Sequence, residues 1–110
     1  MDFDAFYADL ETQLQVLVKK SFKKYRRAAQ SDVEKYLSLS KGRLQDYSRL
    51  LAFRKITPDE HEFLAQALKQ NALLYSLKES GRATMATKRF AEAVVTLTME
   101  VALGYALKAL

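Results

Sequence analysis

Hydrophobic residues recur every three or four positions along most of this chain, which is the period of an α-helix. The first stripe consists of Phe3, Tyr7, Leu10, Leu14 and Leu17. Stripes of the same period cross residues 33–51 and 63–77, and residues 90–110 are apolar at most positions. The 110-residue chain has three glycines and one proline, too few for the many turns of a sheet protein. The pattern therefore predicts an all-α protein.

Two sites along the chain have the spacing of a capping box, in which a hydroxyl residue at the N-cap pairs with a Glu at the third helical position. They are Ser31 with Glu34, and Thr57 with Glu60. Pro58 stands at the first helical position, where proline is best tolerated. These signals predict that the second helix begins after Ser31 and the third after Thr57.

Four helices separated by short turns follow from these boundaries. They are predicted over residues 2–29, 32–55, 58–80 and 83–109. Short connections favour antiparallel neighbours, so we predict one domain over residues 1–110, folded as an antiparallel four-helix bundle. Gly81 is expected to be a left-handed C-cap; the alternative is that it only bends helices 3 and 4 as one long helix. Gly42 lies within the second helix, where a close helix crossing or a mild kink would account for it.

The last predicted helix has an unusual arrangement of polar residues. They recur every four positions, at Thr84, Lys88, Glu92, Thr96, Glu100, Gly104 and Lys108. Because a step of four residues drifts about 40° around a helix, this polar line does not hold one face. The helix is therefore expected to be apolar on most sides and to need a cover of other helices, a second subunit or lipid. Its charges argue against a membrane span, since each costs about 2.5–3.5 kcal/mol near the bilayer centre.

We expect the apolar surface of this last helix to form an interface between copies of the chain. The candidate interface residues are Val95, Met99, Leu103 and Leu107. One alternative is that the helix is the central helix of a monomeric bundle, covered by its three neighbours. A further alternative is that it lies on a membrane surface, although a membrane partner is not expected.

Positive charge is concentrated near the end of the first predicted helix. The net charge is +5, and residues 19–27 contain six cations and no acid. The cations are Lys19, Lys20, Lys23, Lys24, Arg26 and Arg27. A cluster of this kind tracks a phosphate backbone in nonspecific nucleic-acid binders, so these are the candidate nucleic-acid contacts. The alternative is structural, because cations at a helix C-terminus offset the macrodipole, and Phe22 and Tyr25 are expected to point to the opposite, buried face.

The sequence offers little catalytic or metal-binding chemistry. The absence of cysteine excludes disulfides, thiolate metal sites and cysteine nucleophiles. The single histidine, His61, has no metal-ligating residue three or four positions away on its helix, and no glycine-rich phosphate loop occurs. We therefore expect no enzymatic activity, no cofactor and no metal. The acidic N-terminus is unlike that of a signal peptide, so a cytoplasmic location is expected.

Cap and core positions in the middle of the chain form a distinctive set. They are Ser40, Lys41, Leu44, Leu50, Leu51, Ala52, Ile56, Thr57, Glu60, Phe63, Leu64, Gln70, Leu77, Gly81, Arg89 and Phe90. In these residues, the segment 40–95 resembles a type of small, all-helical bacterial protein to which no activity is assigned. The resemblance implies a helical fold and no catalytic or binding residue.

The function expected from the sequence is that of a non-enzymatic helical bundle for protein interaction or assembly. Its expected partner is a second copy of the chain or another protein. A nucleic-acid-associated accessory protein, which would use the basic end of the first helix, is the alternative.

Overall fold

A computed structural model describes residues 2–22, 24–68 and 84–108 of the chain, with side chains at 2–22, 24–68 and 88–107. These ranges contain four helices and no strand. The helices are α1 (Phe3–Ser21), α2 (Arg26–Ala52), α3 (Pro58–Ala67) and α4 (Thr84–Lys108). The predicted all-α fold is confirmed.

The helices pack as an up-down-up-down bundle. Phe6, near the start of α1, lies 6.0 Å from Tyr105 between ring centroids, and Phe22, just after α1, lies 4.8 Å from Phe90. α1 and α4 are therefore antiparallel. α2 and α4 each contact the other three helices, whereas α1 and α3 lie on opposite sides of that pair and share no contact within the described ranges. The parallel pair α2 and α4 thus forms the centre of the bundle.

α1 begins and ends with charges that suit its dipole. The carboxylate of Asp2, the N-cap, accepts a hydrogen bond of 3.1 Å from the backbone N–H of Ala5. Lys19 and Lys20 lie in the last turn, where positive charge is favourable. The fully buried row consists of Phe6, Leu10, Leu14 and Val18. Phe3, Tyr7 and Leu17 of the predicted stripe are partly buried beside it.

The predicted boundary between the first two helices is wrong. α1 ends at Ser21, and α2 begins at Arg26 and runs through Ser31, so Ser31 and Glu34 form no capping box. Phe22 takes an extended backbone conformation (φ −135°, ψ 121°), which places its ring in the core against Phe90. The chain then reverses by Tyr25. Burial of Phe22 thus replaces the helical continuation that periodicity alone predicted.

α2 ends in a Schellman motif, three residues before its predicted end. The N–H of Lys55 donates to the carbonyl of Leu50 at 2.9 Å, and the N–H of Arg54 donates to the carbonyl of Leu51 at 3.1 Å. Arg54 takes φ 56°, a left-handed conformation that glycine adopts with less strain. The turn directs the chain back along α2 into α3.

The second predicted capping box is confirmed. The Thr57 hydroxyl accepts from the N–H of Glu60 at 3.1 Å, and the Glu60 carboxylate accepts from the N–H of Thr57 at 3.1 Å, with Pro58 at the first helical position. α3 is described to Ala67. The predicted continuation to residue 80, and the choice between a turn and a bend at Gly81, lie outside the described residues.

α4 supplies much of the core and exposes its polar line. Its buried residues include Phe90, Val94, Val95, Thr98, Val101, Ala102 and Ala106. Of the predicted polar line, Lys88, Glu92, Thr96, Glu100 and Gly104 all face solvent. The line remains exposed along the described part of the helix, and the other helices cover most of the remaining, apolar surface of α4.

Gly42 does not mark a close helix crossing. It is exposed on α2, and a Cβ atom built there would meet nothing within 4 Å. The same holds for Gly104 on α4. Neither glycine is required by packing inside the bundle.

Candidate functional site

Two adjoining cavities form one groove between α3 and α4, floored by the C-terminal end of α2. The first has a volume of about 270 Å³, and the second, toward the end of α4, has a volume of about 370 Å³. Leu51, Pro58 and Leu103 line both of them. We refer to the pair as the α3–α4 groove. It exists because the capping box at Thr57 and the Schellman turn at Arg54 set the start of α3 beside α4.

The lining of the α3–α4 groove includes three of the four interface residues predicted from the sequence. Met99 and Leu103 are half-buried in it, and Leu107 remains 59% exposed at its end. The fourth residue, Val95, is 1% exposed and packs inside the bundle. Its assignment to an interface is corrected, because a second molecule cannot reach it without opening the core.

Three carboxylates line the first cavity of the groove. Asp59 and Glu62 come from the start of α3, and Glu100 comes from the exposed line of α4. No hydrogen bond or ion pair joins any of the three to another residue within the described part of the chain. Arg54 and Lys55 line the second cavity instead. The groove thus combines an apolar floor with positive charge at one end and, at the other, acid that has no partner among the described residues.

His61 lies in the same groove but is almost fully buried, at 4% exposure. Burial lowers the pKa of its imidazole, because a charged ring loses more hydration than a neutral one. No group of three or more metal-ligating side chains occurs among the residues that the structure describes. The burial of His61 was not predicted from the sequence. The available signal is helical spacing, which places His61 on the same face of α3 as the buried residues Ala65 and Leu68.

The predicted basic cluster spans the junction of α1 and α2. Lys19 and Lys20 lie at the end of α1, Lys24 lies in the turn, and Arg26 and Arg27 begin α2, all exposed. Lys23 lies outside the described residues. A favourable interaction with the helix macrodipole accounts for the positions of Lys19 and Lys20 only. Arg26 and Arg27 lie at the N-terminal, positive end of α2, where the macrodipole disfavours cations and the first turn has no acid.

The fold brings two further cations to the same end of the bundle as this cluster, and they were not part of the predicted set. The Phe22–Phe90 contact places the early part of α4, with exposed Lys88 and Arg89, at the same end of the bundle. The aromatics within the cluster are not free to stack on bases: Phe22 is 4% exposed, and Tyr25 is half-buried. We refer to the junction with Lys88 and Arg89 as the basic end.

The segment Lys88–Leu107 is long and apolar enough to cross a membrane by length and composition, with a mean hydropathy of 1.4. Such a segment is weak evidence for a span, because the core helix of a soluble bundle has the same composition. In this structure it packs against α1, α2 and α3.

No protein-family model, curated protein or solved structure matches this chain.

Proposed function

We propose that this chain is a non-enzymatic interaction protein, and that it contacts other proteins at the α3–α4 groove. The observation that carries the proposal is the set of Leu107, Leu103 and Met99, which remain open to solvent in a concave site. Apolar side chains exposed together in a groove rimmed by polar residues are typical of protein-binding surfaces.

The chemistry of the groove supports binding over catalysis. An acid–base or nucleophilic mechanism needs a base held near the group that it activates. The imidazole of His61 makes no hydrogen bond within the described residues, and burial favours its neutral form. The groove therefore offers shape and charge to a partner, without a paired nucleophile and base.

A photo-crosslinking amino acid placed at residue 107 tests this proposal directly in cells that make the protein. Position 39 is the matched control, because Leu39 is exposed to a similar degree, 57% against 59% for Leu107, but lies outside the groove. Protein adducts at position 107 that do not form at position 39 support the proposal. Equal labelling at both positions, or none at either, contradicts it.

The sequence-based expectation of a homo-oligomer stays a prediction. Light scattering after size exclusion decides it, because a self-associating chain has a mass that is a multiple of 12.6 kDa. If the contact is at the groove, Leu107→Glu reduces that mass to one chain, and Leu39→Glu leaves it unchanged.

A second candidate function is nucleic-acid association at the basic end. Nucleic-acid association is favoured by the position of Lys88 and Arg89 at the same end of the bundle as the cations of the α1–α2 junction. These two residues extend the positive surface from the junction onto α4. Substitution of Lys20, Lys24, Arg26 and Arg27 by Gln is expected to weaken binding to duplex or single-stranded DNA at low salt. Each lost phosphate contact should reduce the slope of log affinity against log salt by about 0.9 on duplex DNA.

The control for this test is the pair Arg54→Gln and Lys55→Gln, which removes charge at the opposite end of the bundle. If DNA affinity is unchanged by the substitutions at the basic end, or falls equally with the control pair, nucleic-acid association is not the function of this surface.

A further inference from the structure

We infer that the occupant of the α3–α4 groove is a basic amphipathic helix of a partner protein. This inference rests on the proposed function, and it specifies the partner by its shape and charge. Three features of the groove lead to it: the row of apolar side chains on α4, the rim carboxylates that have no partner within residues 2–22, 24–68 and 84–108, and the positive charge at its far end.

The apolar row has the geometry of a helix-packing ridge. Met99, Leu103 and Leu107 follow one another every four residues, so they form a single ridge along α4. Ridges of this kind pack between the side chains of a second helix. A peptide that binds as an added strand would need a free strand edge for its backbone hydrogen bonds, and the described residues contain no strand. The ridge therefore fits a helix.

The charge of the rim specifies a basic occupant over the first cavity. Asp59, Glu62 and Glu100 have no ion-pair partner among the described residues, and they converge on the part of the groove lined by Met99 and Leu103. Lysine or arginine flanking the apolar face of a bound helix would pair with them. Such pairs favour one partner over others more than they add affinity.

The two cations that line the second cavity determine which half of the partner helix can carry positive charge. Arg54 and Lys55 line it, and the Glu60 carboxylate there is already bonded to the backbone of Thr57. A helix with lysine along its whole length would meet these two cations. The partner helix is therefore basic in the half over α3 and neutral or acidic in the half beside Leu107.

A second copy of this chain fits the groove poorly. If two grooves faced each other about a two-fold axis, Asp59, Glu62 and Glu100 would approach the same acids of the other copy, and like charges repel. The basic end of a second copy has the required sign, but its aromatic residues Phe22 and Tyr25 are buried or half-buried. The described residues of the basic end therefore offer no aromatic side chain that could fill the groove.

Fluorescence anisotropy with designed helical peptides tests the inference. The probe is a labelled peptide of about 14 residues, roughly 21 Å long, with leucine along one face, lysine flanking that face in one half, and glutamine elsewhere. The comparison peptide has glutamate in place of every lysine. We expect the lysine peptide to bind at least about tenfold more tightly at moderate salt, and this preference to shrink as salt rises.

Two sets of variants locate the binding. Leu107→Gln is expected to abolish binding of the lysine peptide, and Glu62→Gln with Glu100→Gln to weaken it about five- to tenfold. The control pair is Glu34→Gln with Asp46→Asn, two exposed acids of α2 outside the groove, which should leave affinity unchanged. Circular dichroism checks that each variant is folded.

The outcomes separate the inference from the proposed function. If both peptides bind equally and Leu107→Gln abolishes both, the groove is a docking surface but the inference of a basic partner is overturned. If light scattering gives the chain alone a mass that is a multiple of 12.6 kDa, and Leu107→Glu reduces this mass to that of one chain, the occupant is a second copy. The inference is then also overturned. If neither peptide binds and no adduct forms at position 107, the proposed function fails as well.

Discussion

The phenol of Tyr36 and the hydroxyl of Thr98 lie 2.8 Å apart in the interior of the bundle and join α2 to α4. The Thr98 hydroxyl donates its one hydrogen to the carbonyl of Val94, also at 2.8 Å. Tyr36 must therefore be the donor to Thr98. The Tyr36–Thr98 bond is a direct polar contact between the two central helices, and Met99, the next residue of α4, begins the apolar ridge of the groove.

The first prediction concerns the two partners of this bond. Thr98→Val leaves the buried phenol of Tyr36 without an acceptor and should lower the free energy of unfolding by about 1–3 kcal/mol. Tyr36→Phe leaves Thr98 bonded to Val94 and should cost about 1 kcal/mol. The double variant should be less destabilised than the sum of the two, as measured by urea denaturation. Additive losses would show that the two groups do not interact.

The second prediction concerns alkaline pH. Burial raises the pKa of Tyr36 from its usual 10.0 to about 12, because the phenolate would lose its hydration in the interior of the bundle. The unfolded chain thus ionises first, so stability that is complete below pH 10 is lost as the pH rises toward 12. The loss should reach about 2–3 kcal/mol.

Tyr36→Phe should remove the part of the stability loss at alkaline pH that comes from ionisation of Tyr36. Burial also raises the pKa values of Tyr7 and Tyr105, so the comparison of wild type with the variant isolates the contribution of Tyr36. Denaturation curves between pH 9 and 12 measure it. If the free energy of unfolding falls with pH equally in the wild type and in Tyr36→Phe, the phenol of Tyr36 is already solvated in the native state.

The third prediction concerns His61 at mildly acidic pH. Burial lowers its pKa from the usual 6.5, so the unfolded chain binds a proton that the folded chain excludes. Stability should be complete above about pH 6.5 and fall as the pH drops below it. Because Asp59, Glu62 and Glu100 line the same groove, a variant without the imidazole is needed to isolate the contribution of His61. His61→Leu should flatten the profile between pH 5 and 7, and identical profiles would contradict the burial of a neutral imidazole.

The fourth prediction concerns Gly42, which is exposed in the middle of α2 with open space around its Cα. Gly42→Ala should raise the free energy of unfolding by about 1 kcal/mol, because alanine loses less backbone entropy in a helix. Gly104→Ala on α4 should behave alike. Thermal and urea denaturation measure both. A loss of stability in either variant would mean that the helix is packed more closely there than the structure shows.

The sequence predicted those features that local chemistry determines. The hydroxyl of Thr57, the ring of Pro58 and the carboxylate of Glu60 mark the start of α3 through contacts within four consecutive residues. The buried seam of α2, from Val33 through Leu44 to Leu51, also follows from periodicity alone. Both are local patterns that the tertiary structure preserves.

The features that were missed depend on contacts between distant residues. The reversal after Ser21 contains no glycine, proline or asparagine, and what ends α1 is the burial of Phe22 against Phe90. Ser31 has the chemistry of an N-cap but lies within α2 because the turn comes earlier. Likewise, periodicity places Val95, Met99, Leu103 and Leu107 in one apolar row, and their role as an interface between copies stays a prediction. Only the tertiary packing shows that the last three line a groove and that Val95 is buried.

The most direct test of the account is the site at which the lysine peptide perturbs the protein. Backbone amide chemical shifts, measured by NMR during a titration of isotope-labelled protein, report this site residue by residue. We predict that the changes concentrate at Asp59–Glu62 of α3 and Met99–Leu107 of α4, with the basic end unaffected. Binding without changes at these two segments, or with changes centred on another face, would contradict the claim that this protein works through the α3–α4 groove.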